Sequence, residues 1–388
     1  MRALLDRRVF FGFALGVTFT LGLGALVQQA EAGKRLERKS FHSALDTVLE
    51  RYVEPVDASE VMARGLKHMV GGLDPYSHYL TATERKAAKS KLASGASTGL
   101  TVALRERGRV KLLEVLAVEP GSSGHAAGLT AGDFVHEVAG TPVSDFLSLA
   151  EAEILMAGKD GEMLELVVQR KADPGPKTMQ LMLTRSAGAP LVDGELIERR
   201  GKKLAHVRIR AFRGGTGNAV KKQLAELRRV SGDDGLSGIV LDVRGNPGGE
   251  VSEAVIVADM FVTEGVLTRT RGRGGRILRE EKAHRAGTDA KTPLVVLQDR
   301  HSASASELLA VALQDHGRAK VVGERSYGKG TVQDVIGMED GSVLTLTIAR
   351  YFSPRDRMID ARGVKPDVSR TLEGVPEPAI LDAAAAAM

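Results

Sequence analysis

Apolar residues recur at three- and four-residue spacing through "ALDTVLERYVEPV" and "SEVMARGLKHMVGGL", so residues 33–92 read as a helical N-terminal region. From 93 to 186 the period shortens to two. Short β-branched runs punctuated by glycine follow one another: "GLTVALRERG", "VKLLEVLAV", "GDFVHEVAG", "LELVVQR" and "TMQLMLTR". A short helix at "SLAEAEILMA" and a helical turn at "SSGHAAGL" interrupt this β-rich block, and "DPGP" (Asp173 to Pro176) reads as a hairpin turn inside it. From 187 to 370 strands and helices alternate. Strands are expected at "LAHVRIRAF", "GIVLDV", "PLVVLQ", "AKVVGE" and "SVLTLTIARYF", and helices at "NAVKKQLAELRRV", "EAVIVADMFV" and "SELLAVALQDH". Such alternation argues for an α/β core. Residues 371–388 are expected to form a C-terminal tail ending in "AAAAAM". The whole is a multidomain α/β protein.

Residues 1–32 stand apart. Arg7 and Arg8 precede an uncharged stretch from Val9 to Val27, and "AEA" at Ala30 to Ala32 has the small-x-small form of a cleavage site. This predicts an export signal cut after Ala32, with an uncleaved membrane anchor as the alternative, because the stretch approaches the ~20 residues that span a bilayer. The expected location is extracytoplasmic: a bacterial periplasm or cell envelope, anchored to the inner membrane if the segment stays.

Composition narrows the chemistry. With 388 residues and 43% hydrophobic content, the chain can bury two or more cores. It has no cysteine, which excludes disulfides, thiol nucleophiles and cysteine-based zinc sites. Its nine histidines form no closely spaced metal-binding pair, so no metal or other cofactor is called for and activity is expected to be indifferent to chelators. The net charge of +5 is spread among acids, and the densest basic run, Arg269 to Arg285, has no aromatic residue for base stacking. That run reads as a solvated flexible loop, and nucleic-acid binding is not expected.

"SASASE", Ser302 to Glu307, lies between a buried strand pattern and a helix pattern. Unpaired amides and the helix dipole favour negative charge there, so Ser304 can be a nucleophile whose oxyanion is held by the Ala305 amide. On its own the motif favours a helix cap, by Ser302 or by Ser304, with Glu307 closing a capping box in the latter case. "DVRGNPGGE" places Gly248 and Gly249 in a turn after another buried strand, a source of a second oxyanion donor. "GERSYGKGTVQ" sets Lys329 between two glycines, where close backbone approach can bury its amine. A histidine-based triad drawing on His301, Asp315 and His316 is the rival arrangement.

These motifs together, with the upstream "RYVEPVD" and "GGLDPYSHYL" and the late "TIARYFSP" and "GVKPDV", resemble the carboxyl-terminal processing peptidases, or tail-specific proteases, in the same order from about Phe41 to Asp367. The resemblance implies a helical N-terminal region, a PDZ domain at 93–186 and a Ser-Lys protease core at 187–370. It implies Ser304 as nucleophile, Lys329, 25 positions later, as base, and Gln333 as the residue orienting the lysine. Moving a lysine from a pKa of about 10.4 to about 7 costs roughly 4.6 kcal/mol, within what burial supplies. In the PDZ-like block, the resemblance implies that Gly99, Leu100, Thr101 and Val102 bind a peptide C-terminus, its carboxylate on the loop amides and its last apolar side chain in a pocket. The implied partners are protein substrates with apolar free C-termini; adaptor or regulatory proteins and homo-oligomers are left open. Three features depart from the family pattern: His301 just before the serine motif, "AGKDGEM", and Arg355 with Asp356 where a glycine is expected. A non-catalytic envelope scaffold binding C-termini, and an acyl-CoA enzyme with a similar oxyanion hole, are the competing readings.

Overall fold

The computed structural model describes residues 39–93, 96–107, 110–119, 121–171, 175–187, 190–233, 235–372 and 374–388. The export segment and its cleavage site lie outside them. Among the described residues no helix is long and apolar enough to cross a membrane. The chain divides into two compact units, Met1–Leu66 and Lys67–Met388. The described part of the first holds helix α1 (39–51) and the start of α2 (Ala58–Gly71). Asp57 opens α2, accepting from the Glu60 amide at 2.9 Å as an N-cap acid does.

The second unit begins with the rest of α2, then strand β1 (His78–Leu80) and α3 (Ala82–Ala93). Thr81 and Glu84 form a capping box ahead of α3: the Thr81 amide and hydroxyl both donate to Glu84 Oε2 at 2.9 Å. A two-strand ribbon, β2 (Ala96–Ser97) with β9 (Ser186–Ala187), brackets the β-rich block. Between them lie β3 (Leu100–Arg107), β4 (Val110–Val118), α4 (Ser123–Ala126), β5 (Phe134–Val138), β6 (Thr141–Pro142), α5 (Leu149–Met156), β7 (Met163–Arg170) and β8 (Lys177–Thr184). Strands pair antiparallel in the order β3-β4-β5-β7-β8, with β6 on β5. Alternate residues point inward, so Leu164, Leu166 and Val168 of β7 join Leu113 and Val115 of β4 in one core. β7 and β8 pair along their length, as a hairpin turn at "DPGP" requires, although Asp173 and Pro174 are not among the described residues.

The α/β core contains β10 (Val192–Arg199), β11 (Lys202–Ile209), α6 (Thr216–Val230), β12 (Gly238–Asp242), α7 (Val251–Asp259), β13 (Val266–Gly272), β14 (Ile277–Lys282), β15 (Leu294–Gln298), α8 (Ala305–Asp315), β16 (Lys320–Gly323), β17 (Thr331–Gly337), β18 (Val343–Phe352), β19 (Val368–Ser369) and α9 (Glu377–Ala387). Its main sheet runs β10-β11-β12-β15-β16-β19, parallel except for β10. Every residue of β12 and β15 is buried, as a parallel sheet covered on both faces demands. Ile239, Leu241, Leu294 and Val296 meet α6, α7 and α8 on one face. Val240, Val295 and Leu297 meet α9 on the other. A second sheet, β1-β18-β13-β14 with β17 on β18, is antiparallel.

Two expectations need correction. The basic run read as a flexible loop contains most of β13 and β14, a paired hairpin. Thr268 and Thr270 are buried, and the intervening charges are neutralised: Arg269 bonds Glu280 Oε2 at 2.7 Å, and Arg271 bonds Asp356 Oδ1 at 2.7 Å. Asp356 holds φ 60 at the position where the family pattern has a glycine, and its carboxylate anchors β13 through Arg269 and Arg271. The C-terminal tail is likewise not free. Ile380, Leu381, Ala384 and Ala385 form one helical stripe packed on the sheet, and small alanines let the helix approach closely.

Candidate active site

The three sequence motifs converge because each follows a parallel strand. The turn after β12 carries Gly248 and Gly249, the loop after β15 carries "SASASE", and the loop after β16 carries Lys329. All three sit beyond the carboxyl ends of adjacent strands, where open α/β sheets place their ligands.

The three serines have different roles. Ser302 is fully buried and its hydroxyl donates to the Val243 carbonyl at 2.8 Å; Ser306 is fully buried and donates to the Asn246 carbonyl at 3.0 Å. Both fasten the serine run to the turn after β12. Ser304, half-buried, has φ 55 and ψ −114, outside the regions L-residues ordinarily occupy. It is the N-cap of α8, and its amide donates to Glu307 Oε2 at 2.8 Å. Its Oγ faces the Glu307 amide in the arrangement of a capping box, without a formed cap hydrogen bond. The capping reading of the motif is thus right for the backbone, and it leaves the Ser304 hydroxyl available.

Glu307 does more than cap. Its Oε2 also accepts from the Lys329 amide at 2.8 Å, while Oε1 accepts from the Gly328 amide at 2.7 Å and the Ser326 hydroxyl at 2.5 Å. One buried oxygen therefore binds the amides of Ser304 and Lys329, so those nitrogens lie within twice 2.8 Å of each other. Burial pushes the Glu307 carboxyl up from its ordinary value, and the four donors oppose that push. The "SxxE" spacing marked Glu307 only as a cap; its reach to the lysine loop depends on tertiary structure.

Lys329 is half-buried, and burial lowers its amine from the ordinary lysine range, with Glu153 and Glu307 pulling the other way. Its Nζ lies 4.5 Å from the centre of the Tyr76 ring, whose apolar face excludes water. Glu153, on α5 of the β-rich domain, is solvent-exposed; the protein around it raises its carboxyl and Lys329 partly offsets this. Gly330 is required beside the lysine, since a Cβ there would come within 2.3 Å of the Asp360 amide nitrogen. No hydrogen bond between Gln333 and Lys329 is described. The Gln333 Nε2 donates to Thr331 at 2.9 Å and Thr347 at 3.2 Å, and the Thr347 hydroxyl donates to Asp74. Asp74 in turn accepts the Tyr76 amide at 2.9 Å, so Gln333 belongs to the network that holds the Tyr76 segment.

The glycine turn abuts the serine. A Cβ on Gly248 would lie 2.6 Å from Ser304 Cβ and 2.9 Å from the Ala305 amide nitrogen. The Gly248 amide itself donates to Asn246 Oδ1 at 2.8 Å. Gly249 differs: the Phe212 amide bonds the Gly248 carbonyl and the Glu250 amide bonds the Phe212 carbonyl, which leaves the Gly249 amide between them without a described partner. Ala305, at the first turn of α8, has none either, as a helix start leaves it.

Of the rival groups, His316 and Asp315 are committed elsewhere, whereas His301 Nδ1 is buried without a described hydrogen-bond partner. His316 Nε2 bonds the Val266 carbonyl at 2.7 Å, and Asp315 accepts from the Arg355 amide at 2.9 Å and from Arg357. His301 is buried, which lowers its pKa, and its Nε2 accepts from Arg300 at 3.1 Å. Beneath the glycine turn, Asp242 is buried against His206 and Arg244; burial alone would raise it, and Arg244 and His206 hold it well below the usual carboxylate range. Arg244 also bonds Glu377 at 2.9 Å and so occupies the one cluster among the described residues, His206, Asp242 and Glu377, whose atoms lie close enough to hold a cation.

Of the expected peptide-binding residues, Gly99, Leu100 and Thr101 line a cavity of about 230 Å³. Val102 does not: it is buried in the core of the β-rich domain. The Gly99 amide donates to Ser97 Oγ at 3.2 Å, a bond an incoming carboxylate can replace.

The family model described as "Peptidase family S41" matches residues 203–370, and the model described as "PDZ domain" matches 114–170. A chloroplastic C-terminal processing peptidase from Tetradesmus obliquus is 33% identical over 367 residues, 90% of this chain and 76% of its own length. A carboxy-terminal-processing protease from Bartonella bacilliformis is 30% identical over 372 residues, 93% of this chain and 82% of its own. The solved structure of a photosystem II D1 C-terminal processing protease superposes with a TM-score of 0.71 at 32% identity, covering 86% of this chain and 87% of that one. At this identity and coverage, the glycine turn, serine run and lysine loop on one sheet edge place the chain in the S41 peptidases, as a PDZ-containing carboxyl-terminal processing peptidase.

Proposed function

We propose that the protein is a serine endopeptidase that recognises the free C-terminus of a protein substrate through its PDZ domain and cleaves it by a Ser304–Lys329 dyad. The observation that carries the reading is the single Glu307 oxygen that holds the amides of both residues, with Ser304 in a strained conformation and the Lys329 amine lowered by burial. Neutral Lys329 takes the Ser304 proton as Oγ attacks the peptide carbonyl. The amides of Ala305 and Gly249, unpaired here, receive the oxyanion; the Gly248 amide can join them only by giving up Asn246. Protonated Lys329 then gives its proton to the departing amine, and water hydrolyses the acyl-enzyme through the same lysine. Gln333 acts at one remove, steadying the segment that places Tyr76 against the amine.

The substrates are proteins with apolar free C-termini, small enough at the last residue for the cavity beside Gly99 to Thr101. The N-terminal pattern of Arg7, Arg8 and the apolar run to Val27 supports action outside the cytoplasm. The mechanism is tested by Ser304→Ala and Lys329→Ala, each expected to lower peptide hydrolysis by about 10⁴-fold or more with unfolding unchanged, while His316→Ala, if folded, stays active. An active Lys329→Ala protein, or loss of activity confined to the histidine variant, overturns the dyad.

A further inference from the structure

The 230 Å³ cavity that opens beside the PDZ loop is walled on its far side by the protease core, and that wall is cationic. Arg208 and Arg210 at the end of β11, Arg213 in the loop that follows, and Arg244 all line it, against Glu119 as the only carboxylate on its walls among the described residues. Two of the four are committed: Arg244 bonds Asp242 and Glu377, and Arg210 pairs with Asp193. The other two make no described side-chain hydrogen bond. The Arg208 charge is felt by Asp242 on the neighbouring strand, yet its Nε is buried without a hydrogen-bond partner; the Arg210 Nε shares that condition. Arg213 is exposed, with no described partner for its guanidinium.

A half-buried guanidinium that makes no hydrogen bond is costly unless a ligand supplies an acceptor. The ligand must carry negative charge, because arginine has donors only. It must also fit beside Gly99, Leu100 and Thr101, which offer backbone and one small apolar surface. We propose that the α-carboxylate of the substrate's last residue binds in this cavity with Arg208 and Arg213 of the protease core as its counter-charges, so that carboxylate recognition is shared between the two domains. The proposal rests on the tail-recognition reading above and names its specificity-determining residues. Because the PDZ loop holds one side of the carboxylate and β11 the other, a bound tail clamps the PDZ domain to the core at the end of the strand that runs beside β12 and its glycine turn. Charge-assisted bonds of this kind are the stronger class, and arginine suits a carboxylate through its planar fork.

The test uses the full chain carrying Ser304→Ala, so that the probe survives, and a fluorescein-labelled disordered peptide ending in Ala-Ala, supplied with a free or an amidated C-terminus. Fluorescence anisotropy at fixed ionic strength gives the ratio of the two dissociation constants. The free tail is expected to bind at least about 10-fold more tightly; Arg208→Gln and Arg213→Gln should each shrink that ratio roughly 5- to 10-fold, and Arg208→Lys should retain part of it. Arg213 lies on an exposed loop, so its variant reports even if Arg208→Gln fails to fold. An undiminished ratio in the Arg213→Gln and Arg208→Gln proteins overturns the assignment to the core arginines while leaving tail recognition standing. Equal binding of the two peptides by the parent protein overturns both.

Discussion

The sheet edge that carries the chemistry and the loop that faces the substrate's end are built on opposite plans. At the sheet edge the groups that set the geometry are already paired: Glu307 has four donors, Asn246 binds Ile209 and Gly248 through its side chain, and Ser302 and Ser306 are tied down. At the PDZ loop the balance is reversed, with Arg208 and Arg213 lining a cavity and making no described side-chain hydrogen bond. The contrast separates two demands. Bond cleavage needs donors fixed before the substrate arrives, since reorganising them during reaction raises the barrier. Recognition can leave charges unpaired, because the ligand completes them and gains affinity by doing so.

If the sheet edge is preformed in this sense, intruding on it must cost activity. Gly248→Ala places a methyl group 2.6 Å from both Ser304 Cβ and the Ala303 carbonyl, at φ +100. We expect kcat/KM for peptide hydrolysis to fall by about 10²- to 10³-fold, the range for losing one oxyanion donor. Unchanged kinetics would remove this turn from the site. The next effect falls on stability. Ser302→Ala strands the Asp299 amide and leaves the Val243 carbonyl only its bond from the Asn246 amide, and should lower the denaturation free energy of the core by about 1–3 kcal/mol with catalysis retained, while Ser304→Ala costs little stability. The reverse pattern in urea unfolding would exchange the roles of the two serines.

The smallest effect tests whether the PDZ side tunes the chemistry. Lys329 acts only when neutral; burial lowers its pKa, and Glu153 raises it by favouring the ammonium. Removing that charge with Glu153→Gln therefore lowers the pKa further. The rising limb of kcat/KM against pH should move toward acid, with rates on the acidic side increasing a few-fold. A limb that stays in place, or moves toward alkali, disconnects Glu153 from the amine.

Much of this was legible beforehand, for identifiable reasons. The fully apolar runs of β12 and β15, and the alternation in β7, carry their own period, and the motifs after β12, β15 and β16 were recognisable as strand-end loops. Charged strands were not. In β13 and β14 the arginines of the run look solvated until Glu280 and Asp356, distant in sequence from their partners, are seen to neutralise them. The alanine-rich C-terminus looked like a free peptide tail because small residues give little periodic signal; only the open face of the main sheet makes Ile380 to Ala385 a buried stripe. The bond from the Gln333 Nε2 to Thr347 was likewise not legible, because it depends on the pairing of β17 with β18.

Local pattern and motif determined the order of elements, the family of the chain and the residues its chemistry draws on, since each is encoded within a few consecutive positions. Tertiary structure decided which of those residues meet. The convergence of Ser304, Glu307 and Lys329 on one oxygen, the seat of Tyr76 under the amine, and the arginine wall opposite Gly99 each join segments tens to hundreds of positions apart. Hydrogen bonds and desolvation act over a few ångströms of space, and no spacing along the chain specifies that distance until the sheet brings its strands into register.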